Sequence, residues 1–388
     1  MTIIYFIFVL AVLVLAHELG HFLAARLFGV KAEEFGFGFP PRICGVQKTK
    51  AGWHWVWGGR DLTEEEAARP GTVYSLNWLP LGGFVKIKGE NGEGKNETDS
   101  FGHKAIWKRL IMLSAGVIMN IILAFILFSI NLLAGAPQLT DGLPNGAVIH
   151  DQHLEVMQVL PNTPAQTAGV QFGDIIVSIN NQSFTEVSDL QKFVTDHGKQ
   201  NLTYNLLRGR ETVIKNITPA IMADTGKAGI GIEIGEIGTV SYPWYLAIYN
   251  GAKSTRYSLE AIVVGLYNLI KDLLVGKGVS GQVAGPVGIA TMTGQMAALG
   301  WNYLLQFMAM LSLNLAIINF LPIPALDGGR VIFLIVEKIR RKPAKAEVEA
   351  LLHNIFFALL MILVVAVTWH DVSQYSGAIG QWWHSVLK

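Results

Sequence analysis

The stretch TIIYFIFVLAVLVLAHELGHFLAARLF, residues 2–28, is apolar at nearly every position as far as Ala16, then sets His17, Glu18 and His21 inside the same run. About 20 apolar residues suffice for a helix to cross a hydrocarbon core. Ionisable side chains are costly at that depth and mark function by default. Residues 1–16 hold no Lys or Arg to form a charged leader, and the helical pattern runs on through Arg26, which predicts a retained span rather than a signal peptide.

Three further apolar runs lie near 108–135, 301–323 and 351–369, so four spans are expected. The bulk numbers agree: 388 residues, 51% hydrophobic and 15% charged, with a mean hydropathy of +0.39. Thirty basic residues against 29 acidic ones give no electrostatic case for a nucleic-acid partner. Cys44 is the single cysteine, which excludes an internal disulfide and any zinc site built on several thiolates.

Lys and Arg near span ends mark the cytoplasmic side. Arg26, Lys31 and Arg42 follow the first span; Lys104, Lys108 and Arg109 precede the second. Arg330, Lys338, Arg340, Arg341, Lys342 and Lys345 lie between the third and fourth. These segments read as cytoplasmic, which turns both termini and the segment 136–300 outward. The expected organisation is a first span at 1–29, a cytoplasmic-side segment at 30–105 and a second span at 106–135. A soluble module follows at 146–220, a surface helix region at 240–290, spans at 300–330 and 350–370, and a tail at 371–388.

Within 30–105, EEFGFGFPPRICG (33–45) reads as an irregular or short extended connector and DLTEEEAARPGT (61–72) as a solvated loop or short helix. VYSLNWLPLGGFVKIKGE (73–90) alternates around a Gly-Gly break and predicts a hairpin or looped strand pair. It is either a small soluble sheet or a re-entrant strand whose free edge pairs with an extended peptide. Residues 146–220 predict strands near 154–160, 174–180 and 202–207 and a helix near 186–196. Ala168-Gly169, Gly173-Asp174, the apolar run Ile175–Ile179 and Asn180-Asn181 resemble a bacterial PDZ domain, which implies either peptide capture at a sheet edge or a spacer that binds nothing. Residues 240–278 mix helical apolar spacing with Trp, Tyr and Lys, the pattern of a helix lying on the outer membrane surface.

His17-Glu18-Leu19-Gly20-His21 is an H-E-x-x-H motif; on a helix its histidines share one face and can hold one Zn2+. Glu18 stands beside the open side of such a site, where it can take a proton from the attacking water and return it to the leaving amine. A catalytic zinc usually has three protein ligands. Asp327 is the best third candidate: Pro322 and Pro324 break the helix before it and Gly328-Gly329 permit a tight turn after it. The alternative makes Asp327 only a helix N-cap.

Together, H-E-x-x-H in the first span, GFVKI at 83–87, the PDZ-like module, GPVGI at 285–289 and NFLPIPALDGG at 319–329 are similar to the bacterial site-2 protease family, of the regulator-of-sigma-E protease type. The resemblance implies a polytopic α-helical membrane protein with about four transmembrane helices, a membrane-associated β-hairpin and one soluble α+β PDZ domain, where the best-known relatives have two. It implies zinc on His17, His21 and Asp327, with Glu18 as catalytic acid and base. Asn314 and Asn319 would hold the substrate backbone, and the strand Phe84, Val85, Lys86, Ile87 would clamp substrate in extended form. The activity implied is zinc-dependent endopeptidase cleavage within the membrane helices of single-span proteins, already cut on their outer side, such as anti-sigma factors or signal-peptide remnants. The place implied is the bacterial cytoplasmic (inner) membrane. A non-catalytic PDZ adaptor and a metal transporter are the competing readings. His103, His353, His370 and His384 read as surface or interfacial.

Overall fold

A computed structural model describes residues 1–49, 52–59, 61–63, 66, 69–90, 97–141, 143, 146–209, 211–222, 226–276, 284–342 and 346–386, without the side chains of Leu81, Ala346 and 374–386. Glu64, Glu65, Lys345 and Lys388, and the side chain of His384, therefore fall outside the described residues. Among the described residues four helices are long and apolar enough to cross a membrane: Thr2–Leu27, Ile106–Ala134, Trp301–Phe320 and, within the helix Ala346–Val386, the stretch Glu347–Ser373. The third is the least apolar, with mean hydropathy 1.6 against 2.3 to 2.6 for the others, because Gln306, Ser312, Asn314 and Asn319 interrupt it. Small residues let the first two spans approach closely. A Cβ at Gly20 would collide with the Ala115 carbonyl, and one at Gly116 with both imidazoles of the first span.

The chain divides into two compact units, residues 1–126, 254–294 and 307–388, and residues 127–253 with 295–306. In the first, three strands form a sheet of order β2-β1-β3: β1 Ala32–Thr49, β2 Gly52–Trp57 and β3 Val73–Ile87. The stretch 33–45 is thus extended, as one of the two readings of its Gly, Phe and Pro content has it, but within an 18-residue strand rather than a short connector. Its alternation decides the outcome: Ala32, Glu34, Gly36 and Gly38 are buried while Phe35, Phe37 and Phe39 face the other side, the period of two that a half-buried strand needs. Glu34 accepts from Arg42 Nε and Nη2 at 2.9 Å each, a two-point ion pair with both side chains buried.

The 73–90 stretch also departs from a simple hairpin, because its two arms do not pair with each other. Val73 to Leu76 lie beside Gln47 to Cys44 on one side and beside Glu34 to Phe37 on the other, and Gly83 to Val85 flank Phe37 to Phe35 from the far side. The strand 34–37 therefore sits between the arms. Gly36 permits this: a Cβ there would run into Phe84, Asn77 and Ser75. The arm 83–87 is left as a sheet edge.

In the second unit six strands form a sheet of order β4-β11-β5-β6-β7-β8: β4 Ala136–Leu139, β5 Val148–Val159, β6 Asp174–Ile179, β7 Leu202–Arg208, β8 Glu211–Ile217 and β11 Ile232–Ser241. The short β9 Ala220–Ile221 and β10 Ala228–Gly229 pair separately. This sheet extends past the 146–220 limits on both sides, because β11 pairs along nearly all of β5 and then accepts β4. Helices Pro164–Ala168 and Val187–Asp196 cover a core that includes Leu154, Val156, Ile179, Leu202 and Tyr204. Thr163 caps the first of these helices and Gly169, at φ 74°, ends it, as the Ala-Gly pattern requires. Asp174 of the Gly-Asp turn is fully buried and accepts two hydrogen bonds from Arg208 at 2.7 Å.

Trp244–Val275 is one long helix with Trp244, Tyr249 and Tyr267 exposed. The helix Pro286–Leu299 follows, its N-terminus capped by Asp371, which accepts from the backbone of Gly285 at 3.2 Å and Gly288 at 2.8 Å. Asp371 lies on the helix that carries the fourth span, so 371–386 continues that helix rather than forming a separate tail.

Candidate active site

His17 and His21 lie one turn apart on the first span, both buried, with ring centroids 4.8 Å apart. Asp327 comes to them from the far end of the chain. The third span ends at Phe320, the Pro-containing stretch turns back on itself, and a new helix, Asp327–Arg340, begins at the aspartate. Gly328 and Gly329 are forced by this turn, since a Cβ on either would strike the carbonyls of Phe320, Leu321 or Ile323. Leu326, not Asp327, occupies the N-cap position. The Asp327 carboxylate instead points to the histidines: Oδ2 is 3.0 Å from His17 Nε2 and 3.3 Å from His21 Nε2, and the two Nε2 atoms are 3.2 Å apart.

Among the described residues these three side chains are the group that could hold a metal ion, with one donor atom from each lying within 4.8 Å of the others. Their chemistry suits zinc, which takes imidazole nitrogen and carboxylate oxygen. The surroundings fit as well. His21 Nδ1 donates to the Met112 carbonyl at 2.8 Å, which leaves Nε2 free to ligate. The Nδ1 of His17 faces the amide of Asn120, whose Oδ1 is buried without a partner, an acceptor available for the ring N–H that ligation through Nε2 requires. Met112, Gly116 and Asn120 follow each other at four-residue spacing on the second span, so one face of that helix backs both imidazoles.

Glu18 faces the other way. Its Oε2 accepts from the backbone N–H of Val85 at 3.0 Å, joining the H-E-x-x-H helix to the edge arm of β3. Between them opens a cavity of about 830 Å³ lined by Glu18, His21, Asp327 and all four of Phe84, Val85, Lys86 and Ile87. The two asparagines part company: Asn319 Nδ2 lies 3.5 Å from His17 Nε2, whereas Asn314 Nδ2 donates to the Met310 carbonyl of its own helix at 2.9 Å. His353 is not a surface residue; it lines the cavity and holds the Pro324 carbonyl at 3.0 Å through Nδ1. The Met112 carbonyl, Asn120 and His353 are absent from the sequence-derived site. Only Asn120, one of two amides within an apolar helix, left a signal there.

A buried His-His-Asp cluster with the glutamate of H-E-x-x-H beside it, set among helices apolar enough to span a bilayer, defines a membrane-associated metallopeptidase. The model of Peptidase family M50 matches residues 5–57 and 56–363, and the chain belongs to that family. It is 30% identical to the regulator of sigma-W protease RasP of Bacillus subtilis, over 96% of this chain and 98% of that one. A Clostridium perfringens protein designated a zinc metalloprotease is 33% identical over 96% of this chain and 98% of its own length. Among solved structures, the PDZ domain of an SdrC-like protein from Listeria monocytogenes aligns with 22% of this chain and 92% of its own, at 20% identity and a TM-score of 0.21. The protein is accordingly a zinc-dependent metalloendopeptidase.

Proposed function

We propose that the chain cuts peptide bonds within or beside the membrane helices of other proteins, at a zinc held by His17, His21 and Asp327, in a bacterial cytoplasmic membrane. The observation that carries this reading is the hydrogen bond from the Val85 N–H to Glu18: it sets an open strand edge against the carboxylate of an H-E-x-x-H helix that is itself long enough to span. A peptide bond in a membrane helix is shielded, its carbonyl already hydrogen-bonded. The edge 83–87 offers an unwound segment replacement backbone partners, so that Phe84 to Ile87 hold it extended beside Glu18.

When bound, zinc supplies a Lewis acid for the scissile carbonyl. Glu18 accepts a proton from the water whose oxygen attacks that carbonyl carbon, then delivers it to the amide nitrogen as the C–N bond breaks, leaving an amine and a carboxylic acid that gives up its remaining proton to solvent. Asn319, beside His17, donates to the substrate backbone; the bond of Asn314 to its own helix favours a structural part for that residue. Basic residues at the span ends support an active site toward the cytoplasmic half, with the module around 148–241 outward. Substrates are single-span proteins already trimmed on the outer side, and the outer module, read as a PDZ domain, either binds a peptide or restricts access.

The test is incubation of purified protein with a panel of single-span substrates, with and without a zinc chelator, and mapping of cuts by mass spectrometry. Chelator-sensitive cuts within the apolar segment are expected. Glu18→Gln should keep its zinc and lose cleavage by at least about a hundredfold, the lower range for a lost general base. Cleavage retained by that variant sinks the mechanism.

A further inference from the structure

Three residues of the second span, Met112, Gly116 and Asn120, back the pair His17 and His21. An imidazole that ligates through Nε2 carries its single proton on Nδ1 and needs an acceptor there. His21 has one in the Met112 carbonyl at 2.8 Å. His17, whose Nε2 points into the cluster 3.0 Å from Asp327, has at Nδ1 the Nδ2 end of Asn120 at 3.3 Å, a donor facing a donor once Nε2 ligates. The other end of the same amide, Oδ1, is buried and unpartnered, on a residue with no exposed surface. Turning the carboxamide end for end removes the mismatch and gives the orphaned oxygen the His17 proton. The two ends are alike in size, so the turn needs no repacking, and the Asn120 backbone is fixed because its carbonyl accepts from Ser312 Oγ at 2.8 Å.

We propose that Asn120 is a positioning residue of the metal site: its side-chain oxygen accepts the Nδ1 proton of His17, which fixes the ring's tautomer and rotation and commits Nε2 to zinc. The neighbouring geometry enforces the pairing. Gly116 lies one turn before Asn120 against both rings, and a Cβ there would displace them from the second span. Backbone carbonyl for one histidine and carboxamide for the other then complete the support of the pair from one helix face. Partners of this kind orient metal-bound imidazoles and change metal affinity by about 10- to 100-fold when removed.

The inference rests on zinc being held by His17, His21 and Asp327, and the experiment separates the two. Full-length wild type, Asn120→Asp, Asn120→Leu and Asp327→Asn are purified in detergent, and zinc affinity is measured by competition with a chromogenic chelator. The visible spectrum of each cobalt-substituted form reports coordination geometry. Asn120→Asp keeps an acceptor and is expected to hold zinc within about threefold of wild type; Asn120→Leu is expected to weaken it by about 10- to 100-fold and to alter the cobalt spectrum. Wild-type affinity in Asn120→Leu, or equal loss in both Asn120 variants, overturns the proposal. If Asp327→Asn also binds zinc normally, the ligand set itself is wrong; if it loses zinc while Asn120→Leu does not, only the role of Asn120 falls. Should Asn120→Leu fail to fold, nitrogen-15 spectra of histidine-labelled, zinc-loaded wild type decide: the proposal requires the His17 proton on Nδ1, and a proton on Nε2 refutes it.

Discussion

At the scale of single residues, the site depends as much on what is missing as on what is present. Gly116 has no side chain where one would fall on His17 and His21, so its hydrogen atom is what allows the second span to support them. Gly116→Ala is expected to push the rings away from Met112 and Asn120 and to lower zinc content per protein by more than about tenfold, the scale on which lost support of metal-bound histidines is felt. Metal analysis after dialysis checks this, and a fully loaded variant would show that the close packing is dispensable. Residue-scale chemistry was also the part most legible in the sequence. H-E-x-x-H works through a fixed four-residue spacing, and the Pro and Gly around Asp327 announce a turn by their own backbone limits. The support from Met112 was hidden, because a backbone carbonyl has no residue identity and its pairing with a histidine 91 positions away along the chain is set only by folding.

At the scale of elements, the sheet of the first unit was the hardest to read. Gly and Pro in 33–45 outweighed the alternation of its phenylalanines, yet the strand forms because neighbouring arms of β3 supply partners on both sides of 34–37. Likewise the strand β11 was missed: Gly231, Gly235 and Gly238 interrupt its pattern, and only pairing with β5 reveals it. The edge arm of β3 carries a direct test. Val85→Pro removes the N–H that Glu18 accepts and leaves an edge that cannot pair in register. Cleavage of helical membrane substrates should fall by at least about tenfold, since misplacement of reacting groups by about 1 Å already costs a hundredfold. Zinc content should stay unchanged. Equal cleavage of several substrates by this variant would remove the strand clamp from the mechanism.

At the scale of the whole molecule, each unit has its own sensitivity to conditions. In the second unit, His153 Nε2 lies 3.2 Å from the carboxylate of Glu155, which also accepts from the Tyr303 hydroxyl at 2.6 Å, while His153 Nδ1 lies 2.6 Å from the Asp151 carbonyl. The hydrogen bond to Glu155 raises the His153 pKa above its ordinary value despite partial burial. A raised folded value means stabilisation that is complete below the unfolded value, about 6.5, and is lost as pH rises through the folded one. Backbone protection in β5, corrected for intrinsic exchange, should therefore hold below about pH 6.5 and fall as pH rises above it. His153→Gln should flatten that fall, and an identical profile would dismiss the pair. The first unit has a different exposure. None of the most apolar stretch of the fourth span is buried within the protein, but His353 near its start holds the Pro324 carbonyl and Asp371 near its end caps the helix at Pro286. At about 1.5 Å per residue these two attachments stand roughly 27 Å apart, close to the thickness of a hydrocarbon core. The turn that carries Asp327 is thus fastened to the span whose most apolar stretch is not buried within the protein, so a change of bilayer thickness is expected to be felt first at that turn.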